Sequence, residues 1–395
     1  MKRADALRIL GMAAAGAALS AIAWLHVGSL ALLAAFPLGL ASARRRREAF
    51  AFAFGYFGLN SAELPSILLR FFNGDGLAIA ILAPLALALI LATPFALVGR
   101  GSPARRAAMM LVALLIITLP PLGFIGWLNP LFAAAALYPG TGVAGVALAA
   151  ALFCGLAAWT VRTRKTAGAV LLGLLVPTVA INAWHVERQK HQPATLGVYA
   201  LNTRLGKPSI DPEYRARAVE EIARRVEFHS APGFDLVIFP ESILHDLSDV
   251  DRIMLMPSTG HEDLPTVLFG ATMLREDQRR ENGIFLLNEE FPMVANSRLP
   301  VPIGNWRPFM TGGVAARPFE SDIIEVGGRA AAISVCYEDA VLWGHPGLMT
   351  GQGEILLSFA NLWALRGTRT AHAQAVGATG LARLGGVPLR RAVNE

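Results

Sequence analysis

Two stretches bear side chains suited to covalent catalysis. In "AAISVCYEDA", residues 331–340, a run of small and β-branched residues ends at Cys336, and Glu338 and Asp339 follow at once. In "VIFPES", residues 237–242, a similar apolar run ends at Glu241. A thiol with its ordinary pKa of about 8.5 is mostly protonated at neutral pH. A carboxylate within hydrogen-bond reach can take that proton while the sulfur attacks a carbonyl. The tetrahedral oxyanion then needs hydrogen-bond donors. Cys336 by itself has two readings, a small buried hydrophobe at a strand end or a nucleophile, because free cysteine is among the most buried residue types. The only other cysteine, Cys154, falls in an apolar run of the first half, so no disulfide between the two is expected.

These side chains need elements to hold them. Residues 196–201 read as a buried strand, and 211–229 as an amphipathic helix with Asp211 as N-cap and Pro212 at its first position. Further strands are expected to end at Glu241 and at Cys336, with others over 265–274, 282–288 and 354–362 and a helix over 368–384. Alternating strands and helices indicate an α/β sheet. In such sheets chemistry collects at the carboxyl ends of strands, where Glu241 and Cys336 fall.

The chain has 395 residues, of which 54% are hydrophobic and 16% charged, with a mean hydropathy of +0.47. A soluble domain carries about 25% charged residues. The deficit lies in residues 1–190, which are almost all apolar, so a polytopic transmembrane domain over 1–190 and a soluble domain over 195–395 are expected. A membrane span needs about 20 apolar residues. Seven candidates fit: 9–25, 28–42, 49–69, 77–98, 107–128, 141–160 and 168–186. The net charge of +6 does not point to nucleic acid, because much of it sits in short clusters between apolar runs, at 44–47, 100–106 and 162–165. Clusters in that position set membrane orientation. With Lys2, Arg3 and Arg8 they fall on one side if the N-terminus is cytoplasmic. Seven spans then deliver the soluble domain to the periplasm, and the expected location is a bacterial inner membrane. Glu63 lies within the third candidate and reads either as a functional intramembrane acid or as a residue at a helix end beside Pro65.

"VIFPES" followed about a hundred residues later by "VCYED" resembles the carbon–nitrogen hydrolase (nitrilase) superfamily, whose members use a Glu–Lys–Cys set on an αββα sandwich. "CYE" behind several spans is similar to the apolipoprotein N-acyltransferase branch, as are "SFANLWAL" (358–365) and "GGVPLRRAVN" (385–394). "GFIGWLNPLFAAAALYPGTG" (123–142) is similar to the TraB family of plasmid conjugal-transfer proteins. The resemblance implies Glu241 as base, Cys336 as nucleophile, the backbone N–H of Tyr337 as an oxyanion donor and Glu338 as an orienting acid. The family's lysine segment matches "SRLPVPIGNWRP" (297–308), with Ser297 at the lysine position, Arg298 beside it and Asn305 in place of a glutamate. Arg298 is then the candidate cation, although a guanidinium is no acid–base group and no equivalent of an ammonium.

By the same resemblance Asn305, Trp306, Asn361 and Trp363 are candidates for the substrate pocket. Trp306 and Trp363 read equally well as core or membrane-interface aromatics. The chain ends at Glu395, where the family fold continues, so a shortened domain is expected. No cofactor is expected. His245, His261 and His345 are scattered without metal-ligand spacing, so no metal site is expected either. Expected partners are the lipid bilayer, lipid or lipoprotein acyl groups and other conjugation proteins, without direct nucleic-acid binding. Three functions stay open. The first is a thiol enzyme working through a Cys336 thioester in conjugal transfer. The second is a catalytically degenerate component of a mating or envelope assembly. The third is a lipoprotein N-acyltransferase.

Overall fold

The computed structural model describes residues 3–99, 101–159, 164–190, 197–228, 234–256, 265–276, 278–307 and 313–395. Lys2, Arg100, Arg162 and His261, named from the sequence, lie outside the described residues. The chain forms two compact units. One is Met1–Gln192 with two later returns, Ala340–Trp343 and Thr368–Gly386. The other is Pro193–Asp339, Gly344–Gly367 and Val387–Glu395.

The first unit is helical. Arg3–Ala23 and Leu77–Leu97, each 21 residues, are long and apolar enough to cross a membrane. At about 1.5 Å per residue each reaches roughly the thickness of a hydrocarbon core. A bent pair, Pro130–Leu137 and Gly142–Ala158, would make a third, but its halves meet at 118°. Candidate 168–186 lies within the helix Arg164–Lys190, and among the described residues two helices, or three with the bent pair, are long and apolar enough to span, against the seven expected. The reason is local breaks that hydropathy does not register. Candidate 28–42 is a 3-10 helix, Val27–Ala34, followed by the seven-residue helix Ala35–Ala41. Candidate 49–69 divides at Glu63 into Arg46–Ser61 and Leu64–Phe71. Candidate 107–128 stops at Thr118, just before Pro120 and Pro121. A 16-residue helix spans only about 24 Å. Leu77, Ile81 and Leu82 are all more than half exposed along one helix, a face suited to hydrocarbon.

Glu63 sits at a helix boundary, as the second of its two readings has it. Its Oε2 accepts the Thr370 N–H at 2.9 Å and the Thr370 hydroxyl at 3.1 Å, in the first turn of the helix Arg369–Gly385. A carboxylate there answers unpaired N–H groups and the positive end of the helix dipole. Glu63→Ala is expected to lower unfolding free energy by about 1–2 kcal/mol. Glu63→Gln, which keeps an acceptor oxygen, should lose less. Denaturant unfolding in detergent checks both, and an alanine variant as stable as wild type would remove this role.

Among the described residues the second unit has nine strands in two sheets. The first sheet runs in spatial order β1 (Val198–Ala200), β2 (Leu236–Ile238), β3 (Thr266–Leu274), β4 (Arg280–Leu286) and β5 (Met293–Asn296). Its first three strands are parallel and the others antiparallel. The second sheet runs β6 (Ile323–Val326), β7 (Arg329–Val335), β8 (Ile355–Asn361) and β9 (Leu389–Asn394). β6 and β7 form a hairpin through Gly327 and Gly328, whose φ of 58° and 71° fit a tight two-residue turn. β7, β8 and β9 are parallel.

Alternation along β2 builds the layers. Leu236 and Ile238 pack with Ile333, Val335, Leu357 and Phe359 of the second sheet. Val237 and Phe239 pack with Tyr214, Ala218, Val219 and Ile222 of the helix Pro212–Phe228. Both faces of β2 are buried, so it reads as a continuous apolar run, not an alternating one. The unit is thus a helix–sheet–sheet stack, and the helix Arg369–Gly385 that joins β8 to β9 is grouped with the first unit.

Candidate active site

β7 ends at Val335, and the chain turns at once into the 3-10 segment Cys336–Ala340. Cys336 has φ of 51°, in the left-handed region that non-glycine residues avoid. Such strain persists only where the surroundings enforce it, and it gathers at functional sites. The thiol points at the backbone oxygen of Asn361, 3.9 Å away at the end of β8, and it hydrogen-bonds with the Glu241 carboxylate.

Glu241 stands just beyond the carboxyl end of β2. Its segment lies across β3, where the Gly270 N–H donates to Pro240 O at 3.1 Å and Gly270 O accepts from Ile243 at 2.9 Å. A Cβ on Gly270 would lie 2.4 Å from the Glu241 Cα, so this close approach requires glycine. Asn282 on β4 donates its amide to Glu241 Oε1 at 2.6 Å. The Asn361 backbone N–H donates to Oε2 at 3.2 Å, and its side-chain amide donates to Glu241 O at 3.1 Å. Asn394, opposite Asn361 in the β8–β9 register, donates to Asn361 Oδ1 at 3.0 Å. Thr203 and Leu205 anchor Asn394 in turn, each donating to its Oδ1 at 2.9 Å.

The carboxylate is 4% exposed, and burial pushes its pKa up to about 7 against the pull of its hydrogen bonds to Cys336, Asn282 and Asn361. Burial, and then the charge of Glu241, push the Cys336 thiol well above its ordinary value. The resting pair is therefore a neutral thiol beside a carboxyl group close to half-ionised at neutral pH. A proton leaving that sulfur for the carboxylate would therefore move during an attack on a carbonyl and not before it.

Glu338 is wholly buried beneath the elbow. Its Oε1 accepts the N–H groups of Arg298 and Leu299, and its Oε2 accepts Val335 N–H at 3.1 Å and Arg298 Nη2 at 2.7 Å. Arg298, 2% exposed, also donates to Ile333 O at 2.9 Å and to Gly344 O. His345 packs beside it, with Nδ1 at 3.4 Å from Arg298 Nη2. This guanidinium holds Glu338 and the end of β7, which makes Arg298 a positioning residue, one step removed from the sulfur. Tyr337 follows Cys336 and is half-buried. The N–H groups of Asn305 and Trp306 both donate to Val301 O at 2.9 Å within a tight turn. Trp363 carries the ammonium of Lys207 over its ring at 5.2 Å.

Reading the sequence left out Asn282, which appeared only as the first residue of a strand. The N–H of Ser297, at the family's lysine position, donates to Asn282 O at 2.7 Å, so a neutral amide neighbours that position and supplies the donor to Glu241. No local pattern marks an asparagine for such a role. Removing the amide in Asn282→Ala should raise the Glu241 pKa further. The lower limb of a pH profile for Cys336 labelling should move up by about one unit or more, since a hydrogen bond to a charged group is worth about 1.5–3 kcal/mol. An unmoved profile would take Asn282 out of the site.

No family model matches the chain. A probable conjugal transfer protein TraB from Sinorhizobium fredii is 27% identical over 374 residues, covering 90% of this chain and 90% of that one. A conjugal transfer protein TraB from Agrobacterium fabrum is 27% identical over 379 residues, covering 91% of this chain and 86% of that one. The chain is similar to the TraB conjugal transfer proteins over about nine-tenths of its length. The alignments with these TraB proteins run through both units. Among solved structures, a carbon–nitrogen hydrolase from Helicobacter pylori is 12% identical with a TM-score of 0.38, covering 50% of this chain and 73% of that one. An amidase from Nesterenkonia, a mutant carrying an acrylamide adduct on its active-site cysteine, is 15% identical with a TM-score of 0.33, covering 50% and 77%. The kinship with TraB proteins and the two apolar helices agree with membrane association.

Proposed function

We propose that this chain is a membrane-associated thiol enzyme serving conjugal transfer, which cleaves or transfers an acyl group through a thioester on Cys336. The observation that carries the reading is the Cys336–Glu241 pair at the ends of β7 and β2, with a strained backbone at the sulfur and a carboxyl group tuned to about 7. Sγ attacks the carbonyl carbon of an acyl donor, forming an S–C bond while Glu241 takes the thiol proton. The oxyanion is assigned the Tyr337 N–H as a donor. As the tetrahedral intermediate collapses, the bond to the leaving group breaks and Glu241 returns the proton to it. Water or an amine then attacks the thioester, with Glu241 as base again, and the thiol is restored.

The same reading keeps the second unit on the periplasmic side. Support comes from the basic segments around Arg8, Arg45 and Arg105, which gather at one end of the helical unit. Lipid or lipoprotein acyl groups are the substrates that the kinship of sequence motifs favours. A specific observation supports a second reading, a catalytically silent scaffold: the donor beside Glu241 is a neutral amide, and Arg298 is committed to Glu338. Labelling of Cys336 by an acylating or thiol-reactive probe separates the two. Fast labelling that depends on Glu241 supports the enzyme, and equal, slow labelling of wild type and Glu241→Gln supports the scaffold.

A further inference from the structure

The helical unit gathers arginines from three separate segments at one end. Arg45 and Arg47 both bind Asp5, at 2.8 and 2.9 Å. Arg8 binds Glu48 at 2.8 Å and the backbone oxygen of Ser42 at 3.0 Å. Arg106 reaches Ala41 O at 3.1 Å, and Arg105 reaches Leu97 O at 3.4 Å. Arg45, Arg46, Arg47, Gly101 and Arg105 together line a cavity of about 810 Å³. Arg46 is exposed and makes no hydrogen bond or ion pair through its side chain among the described residues. Among the described residues, the two carboxylates paired with these arginines are Asp5 and Glu48. Positive charge in the cavity is therefore in excess.

The cavity also has a definite depth relative to the apolar helices. The helix Arg3–Ala23 begins beside it, at Asp5, and the helix Leu77–Leu97 ends beside it, at Leu97. If these two helices cross the bilayer, their shared end lies at headgroup level. From this juxtaposition we propose that the cavity binds the phosphate of an anionic membrane phospholipid. Guanidinium forks pair with two phosphate oxygens at once, and basic pockets at helix ends suit such headgroups. The lipid tails would lie along the exposed leucines and isoleucines of Leu77–Leu97.

The test uses the full chain purified in neutral detergent, with phosphatidylglycerol, phosphatidylcholine or inorganic phosphate added at equal concentration. Native mass spectrometry and thermal unfolding give the readouts. Phosphatidylglycerol is expected to bind at least tenfold tighter than phosphatidylcholine and to raise the unfolding temperature, and inorganic phosphate is expected to do neither. Arg46→Gln should weaken phosphatidylglycerol binding without lowering the stability of the lipid-free protein, because Arg46 has no partner to lose. Arg105→Lys, which keeps charge but not the fork, should also weaken it. Equal binding of the two lipids would overturn the proposal. So would protection by inorganic phosphate alone, or phosphatidylglycerol binding unchanged in both variants.

Discussion

Cys336→Ala is expected to abolish covalent capture of an acylating probe, and Glu241→Gln to slow capture by at least about a hundredfold, the usual contribution of a general base. Both follow from one feature, a thiol whose pKa is raised by burial and by the carboxyl group beside it. Without Glu241 as acceptor, the proton has no route off the sulfur at neutral pH. The wild-type capture rate should climb as pH rises through about 7, where Glu241 becomes ionised. Stability runs the opposite way. Glu241 holds its proton more tightly folded than unfolded, so its contribution is full below about 4.5 and is lost as pH rises through about 7. The loss is of the order of 3 kcal/mol at about 1.36 kcal/mol per pH unit. Glu241→Gln removes the ionisation, and Asn282 can turn its amide to accept from the new side chain. The glutamine variant should therefore be the more stable protein at pH 8 and little different at pH 4.5. Probe kinetics and denaturant unfolding at the two pH values measure both effects. A glutamine variant that labels at the wild-type rate would end the enzyme reading. One no more stable at pH 8 would show that Glu241 is not held against its charge.

Glu338→Ala should be the most destabilising single change in the second unit, by about 3–5 kcal/mol, as expected when one member of a buried ion pair is removed. The loss is more than a salt bridge. The Arg298 charge would stay buried at 2% exposure, and the N–H groups of Arg298, Leu299 and Val335 would lose their acceptor. The double variant Arg298→Met with Glu338→Gln removes both charges and keeps an acceptor oxygen. It should recover much of the loss, whereas Arg298→Met alone, which leaves a buried carboxylate, should not. Urea unfolding of wild type, Arg298→Met, Glu338→Gln and the double variant forms a double-mutant cycle, with Glu338→Ala measured beside it. A Glu338→Ala variant within about 1 kcal/mol of wild type would mean that the cluster carries little of the stability of the elbow.

The sandwich was legible in the sequence wherever its strands were long or buried on both faces. β3, β4, β7 and β8 all coincide with apolar runs bounded by turn residues. β5 and β6, at four residues each, are too short to form a pattern. In the helical half, mean hydropathy detects apolar composition and not continuity. The breaks at Glu63 and before Pro120 turned long apolar windows into short helices.

At the site, the resemblance of "VIFPES" and "VCYED" to a known family marked Glu241 and Cys336, since Cys336 by itself reads equally well as a buried hydrophobe. Arg298 and Asn282 show the opposite case. Arg298 is next to the lysine position in sequence, yet its guanidinium turns to Glu338. Asn282 lies in a strand with no local cue, yet it reaches Glu241 across 41 residues of chain.

By itself, then, the order of residues determined a half suited to lipid and an α/β half with Glu241 and Cys336 following the apolar runs of two strands. Each of these is written in composition or in periodicity of two or 3.6, which neighbours along the chain suffice to express. Tertiary structure decided which donor meets the Glu241 carboxylate, which cation is committed elsewhere and how far the thiol is held from its ionised form. Those depend on distances between strands far apart in sequence and on the burial that two packed sheets impose on a charge.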